Sequence, residues 1–196
     1  MFAAYQTQKE VQLSTTATVA SKTERTTGVH GGKYLTFALG KEEYGLEILT
    51  VREIMGMMDI TAIPRVPSYV RGVVNLRGQV IAVVDLRAKF AMDAVAQTDQ
   101  TCIIMVEIKH GTPPRKLSTG IIVDRVSEVL DIPGSNIEEA PDFGASLDTN
   151  FILGMGKVGA KVKILLDISK VLDSAEIVQI AQAAQAGTGL VVAATV

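Results

Sequence analysis

Nucleophilic, acid–base and metal chemistry need titratable side chains that converge, and this chain offers few. It has two histidines and one cysteine. His30 lies in a polar N-terminal stretch. His110 lies in a segment marked by Gly111 and Pro113-Pro114, and residues 109–118 read as an exposed loop. Neither histidine has a companion at a metal-ligand spacing. Cys102 sits in the apolar run Thr101 to Ile108, where a thiol packs as a small core residue, and a single cysteine forms no internal disulfide. Gly28-Val29-His30-Gly31-Gly32-Lys33 has the glycines and lysine of a phosphate-binding loop. The spacing is wrong, no Ser or Thr follows the lysine, and a strand pattern comes next, so it reads as a linker. No catalytic residue, metal or cofactor is expected. An enzyme built on this chain would need a polar pocket of converging titratable groups, and the spacing supplies none.

The residues that stand out are polar and suited to recognition. They are isolated by an internal repeat. Gly45 to Met55 aligns without gaps on Gly120 to Leu130, 75 residues on, and Arg71 to Leu86 aligns on Leu153 to Ile168, 82 residues on. A residue required by the fold alone should recur in both copies. Asp85 and Asp167 do recur, each ahead of a short helical stretch, which assigns them to N-capping through their carboxylates. Asn75-Leu76-Arg77-Gly78 instead faces Lys157-Val158-Gly159-Ala160. The hairpin closes in the second copy without the Asn and the Arg. Asn75 and Gly78 have a structural use, because Asn satisfies turn backbone and Gly supplies an unusual φ. Arg77 offers a planar fork of donors to a partner's acceptors. Glu53 recurs as Glu128, so a shared structural role competes with a pairing of Glu53 to Arg77 or to Arg52. Phe143, in Ala140-Pro141-Asp142-Phe143-Gly144, is either core or a contact anchor on a fixed loop.

Short strands must position these residues. Tyr34 to Leu39 and Tyr44 to Ile48 flank a turn. Gly72 to Leu76 and Val80 to Val84 form a hairpin, Thr101 to Ile108 is a strand, and Ile152 to Leu166 is a second hairpin. Val51 to Met58 fits either a helix or a strand, and Asp131 to Leu147 is turn-rich. Ala175 to Gln185 is helix-prone and amphipathic, ended by Gly187 and Gly189. Many short strands presented twice, without long intervening helices, predict a mainly β fold of two small barrels. Of the 196 residues, 47% are hydrophobic, which suffices for a core. A net charge of −2 and no aromatic–basic cluster argue against a nucleic-acid partner. No apolar run is long enough for a membrane-spanning helix, no secretory signal is visible, and the single cysteine suits the cytosol.

These motifs carry a resemblance. Tyr44-Gly45-Leu46-Glu47-Ile48, Val51-Arg52-Glu53-Ile54, Ile63-Pro64, Arg71 to Gly78 with its Asn-Leu-Arg-Gly, Val84-Asp85-Leu86-Arg87 and Gly120 to Val126 resemble the CheW-type coupling proteins of bacterial chemotaxis. The likeness runs from about Tyr34 to Leu172. It implies two tandem SH3-like five-stranded β-barrels with short helices and a C-terminal helix. The expected organisation is a flexible tail over 1–32 and a CheW-like domain over 33–172. Its first barrel spans about 33–90 and its second about 101–172, with elements open to exchange, and a C-terminal helix and tail occupies 173–196. The resemblance also implies a non-catalytic adaptor that binds the cytoplasmic hairpin tips of chemoreceptors and the regulatory domain of the histidine kinase CheA. Such an adaptor is cytoplasmic and recruited to membrane receptor arrays, with no nucleic acid bound and no membrane insertion. On the family pattern, Val51, Gly72, Gly78, Ile103, Gly120, Val126 and Val129 line or shape a receptor groove between the barrels. Glu53 and Arg77 are polar contacts beside it, and Asn75 belongs to the same hairpin. Phe143, with Glu138 and Asp142 nearby, matches a kinase contact. The same adaptor type in a pathway controlling pili, surface motility or development is the alternative.

Overall fold

β-Branched residues fill the segments between glycine and proline marks, and each such segment pairs as a strand. The computed structural model describes residues 31–111, 115–140, 149–173 and 175–187. The first copy supplies β1 (Gly32–Leu39), β2 (Glu42–Glu47), β3 (Val51–Gly56), β4 (Val70–Leu76), β5 (Gln79–Asp85) and a short helix α1 (Leu86–Lys89). The second supplies β6 (Cys102–His110), β7 (Arg115–Val123), β8 (Arg125–Ile132), the two-residue β9 (Ile137–Glu138), β10 (Ile152–Val158), β11 (Lys161–Leu166) and α2 (Ile168–Val171). A last helix, α3, spans Ala175–Gly187. None of the helices among the described residues is long and apolar enough to cross a membrane.

The strands form two SH3-like barrels, and neither sheet follows one copy. One sheet runs β8-β1-β2-β11-β10-β9 and the other β3-β6-β7-β5-β4. The boundary between residues 90 and 101 therefore separates the copies in sequence but not the sheets. After β2 the chain leaves its sheet through one 3-10 turn, Ile48–Thr50, and β3 pairs with β6, Val51 opposite Val106. Each sheet joins the copies twice, once antiparallel (β1 with β8, β3 with β6) and once parallel, where Tyr44 faces Ile164 in one sheet and Thr119 faces Ala82 in the other. A parallel pair cannot be closed by a tight hairpin, so each joint depends on strands distant in sequence.

Burial follows the same division. Tyr34, Ile132 and Leu165 fill the first barrel. Val74, Ile81, Val83, Ile103, Met105 and Ile122 fill the second. Between the barrels lies the largest apolar cluster, drawn from both sheets and including Phe37, Leu46, Ile104, Val106 and Leu166. Ile177 and Val178 of α3 belong to that cluster, so the last helix is part of the body. Gly45 and Gly120, equivalent in the repeat, sit at matching close approaches. A Cβ would meet Leu165 at 2.8 Å in one barrel and Ile103 at 2.9 Å in the other.

The two aspartates act as expected. Asp85 Oδ1 accepts from the Arg87 and Ala88 amides at 3.0 and 3.3 Å. Asp167 Oδ1 accepts from Ser169 and Lys170 at 3.1 and 3.3 Å. Replacing either by alanine is expected to lower stability by about 1 kcal/mol, read as a shift of the urea midpoint at unchanged slope.

Three segments differ from the sequence reading or complete it. Val51 to Gly56 is strand, because pairing with β6 overrides the ambiguous period. Of residues 109–118, read as a loop, 109–110 and 115–118 are strand, and 112–114 lie outside the described residues. β6 and β7 run on to His110 and Arg115 around the Gly111 and Pro113-Pro114 that suggested a longer loop, with Lys109 opposite Lys116. Within the turn-rich stretch 131–147, β8 extends to Ile132, a 3-10 turn covers Gly134–Asn136 and β9 follows.

Candidate interaction site at the Arg77 hairpin

β4 and β5 are joined by a two-residue turn, with Leu76 opposite Gln79. Both turn residues have positive φ, 52° at Arg77 and 83° at Gly78. This is the geometry that matches the right-handed twist of a hairpin. Asn75 Oδ1 accepts from the Gly78 amide at 3.0 Å, so Asn75 and Gly78 shape the turn. Arg77 is different. A non-glycine residue in the left-handed region costs roughly 1 kcal/mol or more, and the second copy puts Gly159, φ 60°, at the equivalent position. An arginine here is retained against backbone preference, and its side chain is 77% exposed.

That side chain is held. Arg77 Nη2 donates to Glu53 Oε1 at 2.7 Å across the open side of the second barrel. Of the two pairings open to Glu53, this is the one formed; Arg52 instead reaches Glu107 at 2.6 Å. Glu128 shares its sequence position with Glu53 and has a different environment. Its backbone sits at a bulge, where its carbonyl accepts from Thr36 Oγ1 at 2.8 Å. Beside Glu53 and Arg77 opens a cleft of about 320 Å³, whose walls include Arg52, Leu76, Gln79 and Met105. Gln79 and Met105 escaped the sequence reading, and Arg52 entered it only as a candidate partner for Glu53 and as part of a motif. Arg52 lies on β3, Gln79 on β5 and Met105 on β6, and only the closed barrel brings them to one cleft.

The other expected groove residues divide by burial. Val51 and Val126 are half-buried and pack on the inter-barrel cluster. Val129 is 50% exposed, and its repeat mate Ile54 is also exposed. Gly72, Ile103 and Gly120 are buried and shape the second barrel from within. Gly72 has φ 136°, and a Cβ there would lie 2.1 Å from the Thr61 carbonyl oxygen. Glu138, on β9, accepts from Lys157 Nζ at 2.6 Å. Asp142 and Phe143 lie outside the described residues, as does His30.

Asp124 Oδ2 accepts from Arg87 Nη1 at 2.6 Å and from the Gly40 amide at 2.7 Å, tying the corners of both copies. Its repeat mate is Leu49, which is 88% exposed on the 3-10 turn. His110 Nδ1 lies 3.0 Å from Asp173 Oδ1 at the end of β6 rather than in a loop. Burial pushes the Cys102 thiol above its ordinary range, which suits a packed residue and not a thiolate nucleophile. Among the described residues no three His, Cys, Asp or Glu side chains cluster as a metal site.

Glu107 is held below the usual carboxylate value by its hydrogen bond from Lys116 and, next, that from Arg52. Because the folded value lies below the ordinary 4.5, the unfolded chain takes up the proton first. The stabilisation is full above about pH 4.5 and declines as pH falls through the folded value. Glu43 behaves alike, lowered first by its hydrogen bond from Lys163. A Tm series between about pH 6 and 3 should fall on the acid side, and Glu107→Gln should flatten part of that slope. An identical slope in the variant would show that Glu107 does not contribute.

The comparisons agree with this architecture. Residues 33–176 match the family model described as the CheW-like domain. The chain is 40% identical over 146 residues to the chemotaxis protein CheW of Klebsiella aerogenes, covering 74% of this chain and 84% of that protein. It is 32% identical to the chemotaxis protein CheW of Rhizobium meliloti, covering 74% and 90%. Among solved structures, the scaffolding protein TtCheW of Thermoanaerobacter tengcongensis superposes with a TM-score of 0.65 at 33% identity, over 74% of this chain and 95% of that one. With the family model, the relatives and the paired barrels in agreement, this chain belongs to the CheW-like family of chemotaxis scaffold proteins.

Proposed function

We propose that this chain is a non-catalytic adaptor coupling the cytoplasmic hairpin tips of chemoreceptors to the histidine kinase CheA, on the cytoplasmic face of receptor arrays. Family membership supports the scaffold role. The observation that carries the finer reading is Arg77, an exposed arginine kept at positive φ and aimed by Glu53, where the repeat manages with a glycine. A protein with no chemistry of its own controls a kinase by binding one of its conformations better than another. A few anchor residues carry most of such an affinity, and weak contacts repeated in an array add up through avidity. On this reading the half-buried Val51 and Val126 with the exposed Val129 receive the apolar receptor tip. Gly72, Ile103 and Gly120 hold the barrel that shapes that surface. Asn75 and Gly78 set the hairpin, and Glu53 and Arg77 are the polar contacts. The kinase contact is assigned to Glu138, Asp142 and Phe143.

The test is kinase output in reconstituted mixtures of receptor fragments and CheA, with and without this chain. A rise in receptor-dependent phosphorylation on adding it is expected. No rise with folded protein present would remove the coupling role with this kinase and point to a different chemosensory pathway.

A further inference from the structure

The two parallel joints between the copies are built alike but carry different side chains. One residue before the Tyr44–Ile164 pair, the register places Glu43 opposite Lys163, and the two form an ion pair. Lys163 is only 4% exposed and is the one charged residue classed with the buried core among the described residues. The same step before the Thr119–Ala82 pair places Ser118 opposite Ile81, a core residue of the second barrel. The repeat makes these positions equivalent: Glu43 with Ser118, and Ile81 with Lys163.

A chain that kept each copy's strands together would therefore mismatch both joints. β5 would take the place of β11 beside β2, setting Ile81 against Glu43. β11 would take the place of β5 beside β7, setting Lys163 against Ser118. Glu43 would lose its cation. Lys163 would face a hydroxyl, and Arg52 would leave Glu107 as β3 leaves β6, so the next strand's Glu107, opposite Ser118, would keep only Lys116. The features that recur in both copies do not discriminate between the arrangements. The capping aspartates, Gly45 and Gly120, and the bulges after Val70 and Ile152 serve either one equally. We propose that the Glu43–Lys163 pair selects the exchanged strand pairing over the contiguous one, because the alternative separates its two charges and sets Glu43 against Ile81 and Lys163 against Ser118. A buried ion pair adds little net stability against an apolar replacement, whereas separating its members is costly. Its natural use is thus to reject a competing pairing.

The experiment moves the lysine and reads the topology. Cysteines replace the exposed Glu42 and Val162 in a Cys102→Ser background. Neighbouring strands lie about 4.8 Å apart, within reach of a disulfide, so the exchanged arrangement joins positions 42 and 162 on mild oxidation. A second reporter, with cysteines at 42 and 80, is joined only in the contiguous arrangement. Each chain is refolded from denaturant before oxidation and mapped by mass spectrometry. With the native pair, the 42–162 disulfide should dominate and the 42–80 disulfide should be absent. With Ile81→Lys and Lys163→Ile together, the 42–162 product should become a minority and the 42–80 product should appear. Undiminished 42–162 linkage without any 42–80 linkage overturns the proposal. If that double variant does not fold, Glu43→Gln with Lys163→Met removes the charges without stranding either one. Both disulfides should then form, and 42–162 linkage alone again overturns the proposal.

Discussion

Arg77→Gly should keep the fold and lose the coupling. Receptor-dependent phosphorylation in mixtures of receptor fragments and CheA is expected to fall by roughly tenfold or more, the loss of about 1.4 kcal/mol or more typical of an interface anchor. Stability should change by less than about 1 kcal/mol, because two small effects oppose. Glycine relieves the left-handed backbone at φ 52°. Removing the exposed pair with Glu53 costs little. The second hairpin already closes with glycine at this place, so the substitution imports a turn the fold accepts. Arg77→Ala keeps the backbone strain without the guanidinium, so it should lose coupling equally and be slightly less stable than Arg77→Gly. Glu53→Gln should show a smaller loss, since it frees the guanidinium without removing it. A folded Arg77→Gly protein that couples like the native chain would dismiss the main site assignment.

Gly72→Ala should do the opposite and break the structure. The second barrel closes where the segment after β3 meets β4. The Thr61 amide donates to the Val73 carbonyl and the Val73 amide to the Thr61 carbonyl, each at 2.9 Å. A Cβ on Gly72 would enter that junction 2.1 Å from the Thr61 oxygen and 2.8 Å from its carbonyl carbon, with backbone on the far side and nowhere to yield. Its φ of 136° adds strain for any side chain. Loss of both hydrogen bonds and of closure is expected to cost on the order of 3–5 kcal/mol, visible as a large drop in the urea midpoint. Gly78→Ala is the control. It also has positive φ but open space around it, so it should cost only about 1 kcal/mol. A Gly72→Ala chain as stable as Gly78→Ala would show that the junction relaxes.

The contrast between these two glycines marks how far the amino-acid order can be read alone. Turn positions, capping aspartates, the hairpin around Arg77 and the twofold repeat depend on residues near one another in the chain, and local backbone preference is enough to place them. The lack of converging titratable groups, and with it the expectation of a protein that binds rather than catalyses, follows from composition and spacing. Repetition also separated Arg77 from its structural neighbours, because Gly159 shows what the turn itself needs. Tertiary structure decided the rest. Two copies with the same pattern offer each strand two equivalent partners, so alternation cannot say that β3 pairs with β6 or that β11 lies beside β2. Whether Glu53 meets Arg52 or Arg77 depends on barrel closure across 24 residues of chain. Gly72 carries no local sign that its missing side chain makes room for Thr61. Such contacts join residues distant in sequence, and their energy exists only once the strands have chosen their partners.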